Sequence, residues 1–244
     1  MPLFCFHGYG ESGDSFFCLE DPLGKDYRFF CLDFPLHGAT SWDGEVFLPQ
    51  DLQQIILRII GSPDKKFSLL GYSMGGRIAL QLFLLMPEKI DRLVLIAPDG
   101  LHKNIWYRLS TQTIAGNKLF KNTVSHPGWL LSLVHLAGKI KLVNKSIQKI
   151  VRHYLEEEAE RMLLYRRWTM MRKFNPPLPA VRSTIAAYQV PVRLLFGRYD
   201  RIILYRRSNF LKNDTANIRI QVLEAGHQLL QDKFKAEIAR HFYE

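Results

Sequence analysis

The chain has 244 residues, 47% of them hydrophobic, and a formal net charge of +10 at pH 7. This is enough sequence for one large domain, or a domain with an insertion, around a sizeable core, and the composition is that of a soluble globular protein. The opening MPLFCFHGYG has no basic segment and no apolar run of signal-peptide length, and no run elsewhere is long enough to cross a bilayer, so no integral membrane segment is expected. Three cysteines, Cys5, Cys18 and Cys31, cannot all pair, and two of them fall in strand-like apolar stretches. They read as buried thiols in a reducing compartment, which makes a cytoplasmic location the expectation.

The charge is concentrated. Between Leu101 and Ala187 the sequence carries 15 Lys and Arg against four acids, so this one segment holds the positive excess. A solvated basic surface explains it, and so does a guide for an anionic substrate or an anionic membrane surface. No nucleic-acid motif accompanies the charge and the aromatics are not spaced as a stacking platform, so nucleic acid is not an expected partner.

In chain order, Leu3 to His7 reads as a short apolar strand broken by Gly8 and Gly10. Tyr27 to Leu32 is a second strand, followed by the loop FPLHGATSWDG. Leu52, Ile55, Ile56 and Ile59 recur at helical spacing within Pro49 to Ile60. Phe67 to Leu70 is a strand and Met74 to Met86 a helix stopped by Pro87, with a Gly-x-Ser-x-Gly turn between them. Leu93 to Ala97, Val192 to Phe196 and Ile218 to Leu223 are further apolar strands, the signature of a parallel sheet covered on both faces. A last helix is expected over Leu229 to Phe242. Strands alternating with helices predict a doubly wound α/β fold.

Residues 101–187 break that alternation. They are helical in character, hold Trp106, Trp129 and Trp168, include a long run from about Lys145 to Phe174, and end in the proline-rich FNPPLPA. The predicted organisation is a core of residues 1–100 and 188–244 with residues 101–187 inserted as a helical lid at the carboxyl edge of the sheet.

The turn at Gly71, Ser73 and Gly75 has a direct physical reading. A serine raised on a sharp strand-to-helix turn sits in strained backbone, and the residues two before and two after it must be nearly without side chain. A glycine-rich turn with a bystander serine would show the same five residues, but the flanking strand and helix favour a nucleophile. Downstream, His227 in EAGHQLL and Asp200 in GRYDRI each follow a strand, where they could serve as base and as partner to the base.

Four pieces, FHGYG, DFPLHG, GYSMGG and the late GRYD with EAGH, together resemble the α/β-hydrolase superfamily over nearly the whole chain. The resemblance implies a triad in chain order of Ser73, Asp200 and His227, with Asp99 in APDG as the rival acid and His7 and His37 as loop-shaping histidines. The oxyanion hole it implies is formed by the N–H groups of Met74 and Tyr9. Most members carry strands before the His-Gly loop and this chain starts directly at that strand, so the sheet should be about two strands smaller. An open edge then leaves oligomeric state undecided, a homodimer included.

The expected activity is hydrolysis of an ester or thioester of a small or medium acyl substrate through an acyl-enzyme. Scattered histidines with no ligand spacing give no reason to expect a metal or other cofactor. The segment GYSMGGR also looks like that of the menaquinone-pathway synthase that eliminates pyruvate from an anionic intermediate, where Tyr72 and Arg77 would line an anion site. That alternative also covers carbon–carbon hydrolases, although the stretch after the Leu93 to Ala97 strand lacks an arginine-rich helix. A non-catalytic ligand receptor on the same fold, and a peripheral lipase whose Trp106 and Trp129 meet an interface, are the remaining readings.

Overall fold

The computed structural model of the chain describes residues 1–62, 64–102, 104–139, 157–211 and 217–244. The strands are β1 (Pro2–Phe6), β2 (Arg28–Leu32), β3 (Phe67–Tyr72), β4 (Ile90–Ile96), β5 (Val192–Gly197) and β6 (Ile218–Leu223). They form one six-stranded sheet in the order β2-β1-β3-β4-β5-β6, every neighbouring pair parallel. Parallel strands with both faces covered should be apolar throughout. β1 and β3 are buried at every position, with Leu3, Phe4, Phe6, Leu69 and Leu70 fully so.

The order places a topological switch beside β1. The chain leaves β1 for β2 on one side and returns as β3 on the other, which opens a crevice at the carboxyl ends of β1 and β3. The loops carrying His7–Gly10 and Ser73 both start there.

Two compact units emerge. The first comprises Met1–Ser41, Leu48–His102 and Phe174–Glu244 and contains the whole sheet; the second comprises Trp42–Phe47 and Lys103–Lys173. In the first, α1 (Pro49–Ile60) begins with proline at its first position, where the missing N–H costs nothing. It ends at Gly61, whose φ of 65° suits the left-handed stop. α2 (Met74–Leu85) follows β3 directly and is buried along nearly its full length. The second unit holds α3 (Ile105–Gln112), α4 (Ile114–Ser125), α5 (Gly128–Lys139) and α6 (Glu158–Met170). Within it, Tyr107 and Phe120 pack on Trp168 at 5.3 and 5.6 Å between ring centroids. Part of the expected helical run from Lys145 lies outside the described residues.

Three expectations need correction. α7 (Leu178–Tyr188) lies in the stretch assigned to the insertion, yet it belongs to the sheet-bearing unit and contacts α2. Its proline falls in the first helical turn, where proline is tolerated, so the cluster starts a helix rather than only ending one. Trp42–Phe47, expected in the core, joins the helical unit, with the Phe47 N–H donated to the Met170 carbonyl at 3.0 Å. The last helix is shorter than expected: a 3₁₀ turn at Asp232–Phe234 leads into α8 (Lys235–Arg240), because Gln231 is extended (φ −147°, ψ 156°).

β2 is an edge strand of the sheet. Both of its faces are covered: Phe30 stacks on Phe4 at 5.0 Å with Arg28 over its ring, and Phe29 and Cys31 pack on the core cluster around Phe16.

Candidate active site

Ser73 sits between β3 and α2 with φ 50° and ψ −114°, a left-handed conformation that a non-glycine residue adopts at a cost of about 1–3 kcal/mol. Its backbone is held from both sides. Its N–H donates to the Ile96 carbonyl at 3.0 Å, and its carbonyl accepts from Gly76 and Asp99 at 2.9 and 2.8 Å. The glycines are required by crowding. A Cβ on Gly75 would lie 1.8 Å from the Phe6 carbonyl oxygen, and one on Gly71 would lie 2.6 Å from that of Gly75. The nucleophile turn is therefore clamped against the end of β1.

His227 enters from the loop after β6. Its Nε2 lies 3.0 Å from Ser73 Oγ and its Nδ1 lies 2.7 Å from Asp200 Oδ2. With the proton on Nδ1, the ring donates to Asp200 and accepts from the Ser73 hydroxyl. Asp200 comes from the loop after β5 and is 3% exposed. Its second oxygen accepts the N–H groups of Ile202 and Ile203 at 2.7 and 2.9 Å, which fixes the carboxylate plane. Burial pushes this carboxyl up, but the His227 hydrogen bond and the two backbone donors outweigh it, and it titrates below the ordinary aspartate value.

The rival groups have other partners. Asp99 Oδ2 pairs with Arg77 Nη1 at 3.4 Å, and Oδ1 accepts the Gly100 N–H at 2.7 Å. His7 is fully buried, accepts the Phe34 N–H on Nε2 at 3.2 Å and donates from Nδ1 to the Gly8 carbonyl at 2.7 Å. The His37 Nδ1 lies 3.0 Å from the Pro35 carbonyl, and its ring packs edge-on against Tyr9. These histidines join the loops after β1 and β2 to each other.

Met74 opens α2, so its N–H belongs to the first turn, where donors have no acceptor within the helix. Tyr9 lies in the loop after β1. That loop is held by Glu11, which sequence reasoning passed over: its Oε2 accepts the Gly8 N–H at 3.2 Å. The signal was a carboxylate three residues after a glycine, at the reach of a side-chain-closed turn.

Tyr72 and Arg77 are placed differently from the expected anion site. Tyr72 is 1% exposed, and its hydroxyl donates toward the His227 carbonyl at 3.3 Å and Gln228 Oε1 at 3.2 Å. Arg77 is buried against Asp99. Trp106 and Trp129 lie on α3 and α5 of the helical unit, both exposed. Among the described residues, no cluster of three His, Cys, Asp or Glu could hold a metal ion.

The family model described as alpha/beta hydrolase fold matches residues 1–113. A thermophilic esterase from Thermogutta terrifontis superimposes with a TM-score of 0.65 at 14% identity, over 100% of this chain and 88% of that one. The six-stranded parallel sheet with its flanking helices is the α/β-hydrolase fold. Human monoacylglycerol lipase ABHD6 is 21% identical over 93% of this chain and 70% of its own length. A serine hydrolase-like protein of Danio rerio is 34% identical over 102 residues, 41% of this chain, and the match spans only 31% of that relative. Ser73 lies inside the matched stretch, while Asp200 and His227 lie beyond it and are linked to Ser73 by geometry. No helix of the described residues is long and apolar enough to cross a membrane.

Proposed function

We propose that the chain is a serine hydrolase that cleaves an ester or thioester of a small or medium acyl substrate. The observation that carries this reading is the continuous hydrogen-bonded relay from Ser73 Oγ through His227 to Asp200, at 3.0 and 2.7 Å. His227 takes the Ser73 proton as the oxygen attacks the acyl carbon, and Asp200 holds the imidazolium that forms. The Met74 and Tyr9 N–H groups receive the charge on the carbonyl oxygen. His227 then gives its proton to the leaving group, and water activated by the same imidazole releases the acyl group and frees Ser73. No metal or cofactor takes part in this scheme.

The helices of the second unit follow β4 in the chain, directly after a loop at the carboxyl edge of the sheet, and in this proposal they act as a lid that selects the acyl group. The likeness to a monoacylglycerol lipase and to esterases supports an ester as the bond cleaved. The pyruvate-eliminating alternative needed Arg77 as an anion contact, and the Asp99 pairing gives that no support. The intact relay favours an enzyme over a receptor. Three free cysteines support a reducing, cytoplasmic setting.

The test is hydrolysis of p-nitrophenyl esters from acetate to palmitate, with carboxylate-ended acyl groups included and Ser73→Ala as the blank. Turnover that vanishes in the variant is expected. A folded wild-type protein that turns over no ester or thioester overturns the reading.

A further inference from the structure

Glu11 holds the loop after β1 in a reciprocal grip. Its Oε2 accepts the Gly8 N–H at 3.2 Å, its own N–H donates to the Gly8 carbonyl at 3.3 Å, and the Ser15 hydroxyl donates to the same Oε2 at 3.3 Å. The residues enclosed by this grip are Tyr9 and Gly10. On the far side, the carboxylate and the Tyr72 ring converge on Gly8: a Cβ there would lie 3.0 Å from Glu11 Oε2 and 3.3 Å from Tyr72 Cδ1. The Tyr72 ring in turn lies 5.6 Å from that of His227.

The charge is the unusual feature. Closing a four-residue turn needs only an acceptor, which serine, asparagine or glutamine would supply. A half-buried carboxylate is costly unless a cation faces it. Among the described residues no Lys or Arg pairs with Glu11, and the cation that acts on it is His227 in its protonated form. Burial pushes the Glu11 carboxyl up, while the Gly8 N–H, the Ser15 hydroxyl and His227 draw it down. The other titratable groups facing this corner are Tyr72, on which Glu11 and Asp200 both act, and Asp200 itself.

We infer that Glu11 is a positioning residue of the hydrolytic site, aiming the Tyr9 N–H through its bond to Gly8 and adding a second negative charge beside His227. The inference rests on the serine-hydrolase reading above and extends it. When His227 takes the Ser73 proton, the new imidazolium contacts Asp200 directly, and Glu11, next to Gly8 and the Tyr72 ring, adds a second, more distant negative charge. An uncharged imidazole gains little from a nearby carboxylate and an imidazolium gains more, so the interaction strengthens as His227 takes the proton.

The experiment compares wild type with Glu11→Gln and Glu11→Ala, with Ser73→Ala as the blank. It reads kcat and KM across pH on the best p-nitrophenyl ester, the rate at which a fluorophosphonate probe labels Ser73, and the thermal midpoint. Glutamine keeps the acceptor for Gly8 and removes the charge. It is expected to lower kcat about tenfold with KM within about twofold, and to slow labelling in parallel. Its acid limb should move to lower pH, the direction in which losing a nearby negative charge shifts a catalytic base. Its thermal midpoint should equal or exceed that of wild type, because the folded site disfavours the charge it lost. Alanine should lose more activity and also melt lower.

Wild-type kcat and pH profile in Glu11→Gln overturn the inference, as does a loss of activity that only tracks a loss of thermal stability. A wild-type protein that is not labelled at Ser73 overturns the hydrolase reading itself, and the role of Glu11 with it. Labelling of the wild type with an unaffected Glu11→Gln overturns the role of Glu11 alone.

Discussion

Arg77 and Asp99 form an ion pair of 3.4 Å beside the nucleophile turn, with the arginine side chain 9% exposed. Each had a rival role to play, Asp99 as the triad acid and Arg77 as an anion contact, and the pairing directs both toward holding the loop after β4 against α2. The Asp99 N–H also bonds to the Ser73 carbonyl at 2.8 Å, so the pair buttresses the turn without touching His227.

The two acids should therefore separate cleanly. Asp200→Asn removes the charge behind His227 and is expected to lower kcat on the order of 10³-fold while the protein stays folded. Asp99→Asn weakens the Arg77 contact and should cost about 1–2 kcal/mol in denaturant unfolding, discounted because Asp99 is about a third exposed, with kcat changed less than about tenfold. The reverse ranking of kcat would move the acid to Asp99.

Acid should weaken the fold through Asp200. Its carboxyl titrates lower in the folded chain than in the unfolded one, so its contribution to stability is complete above the unfolded value of about 4 and is lost as pH falls through it toward the folded value. Urea unfolding of wild type and Asp200→Asn at several pH values checks this. The stability difference should change in favour of the variant as pH falls below about 4. A difference that stays constant through that acid range would count against the assignment.

The glycines of the nucleophile turn should differ sharply from a surface glycine. Gly75→Ala forces a methyl within 1.8 Å of the Phe6 carbonyl oxygen, so β1 and α2 must separate, at about 3 kcal/mol and with loss of esterase activity. Gly61→Ala meets nothing within 4 Å and strains only a φ of 65°, at about 1 kcal/mol with activity intact. Thermal unfolding with ester turnover reads both.

What was legible in the sequence follows from how strongly the local physics constrains it. The strands stood out as short runs rich in Val, Ile, Leu and Phe, even where β6 is interrupted by Arg219 and Gln221, and Ser73 stood out because crowding at Gly71 and Gly75 admits no other residue. The geometry brings His227 and Asp200 to Ser73 from loops more than a hundred residues away, an approach that single-sequence spacing suggests only through the order of the pieces. The remainder depended on contacts that sequence does not encode locally. Arg77 and Tyr72 flank the serine in sequence, yet their directions are set by Asp99 on one side and by the His227 loop on the other. Trp42–Phe47 reads as a loop and joins the helical unit, where the Phe47 N–H bonds to the Met170 carbonyl; its own Trp42 and Phe47 rings pack on each other. Proline clustering before α7 signalled a boundary, and the helix belonged to the other side of it.

Tyr72 supplies the last prediction. Burial, with the negative charges of Glu11 and Asp200, pushes its hydroxyl far above the ordinary tyrosine value, so it remains a neutral donor at every working pH. The proton it offers goes to the His227 carbonyl and Gln228 Oε1, both on the loop that presents the imidazole to Ser73. Tyr72→Phe keeps the ring packed against His227 and removes only those bonds, a loss of about 1 kcal/mol in the placement of that loop. The expected result is a kcat about fivefold lower with unchanged KM, equal for neutral and carboxylate-ended esters. A raised KM confined to the carboxylate-ended esters would instead make Tyr72 part of an anion subsite. That outcome would reopen the reading in which this chain handles a multiply charged substrate.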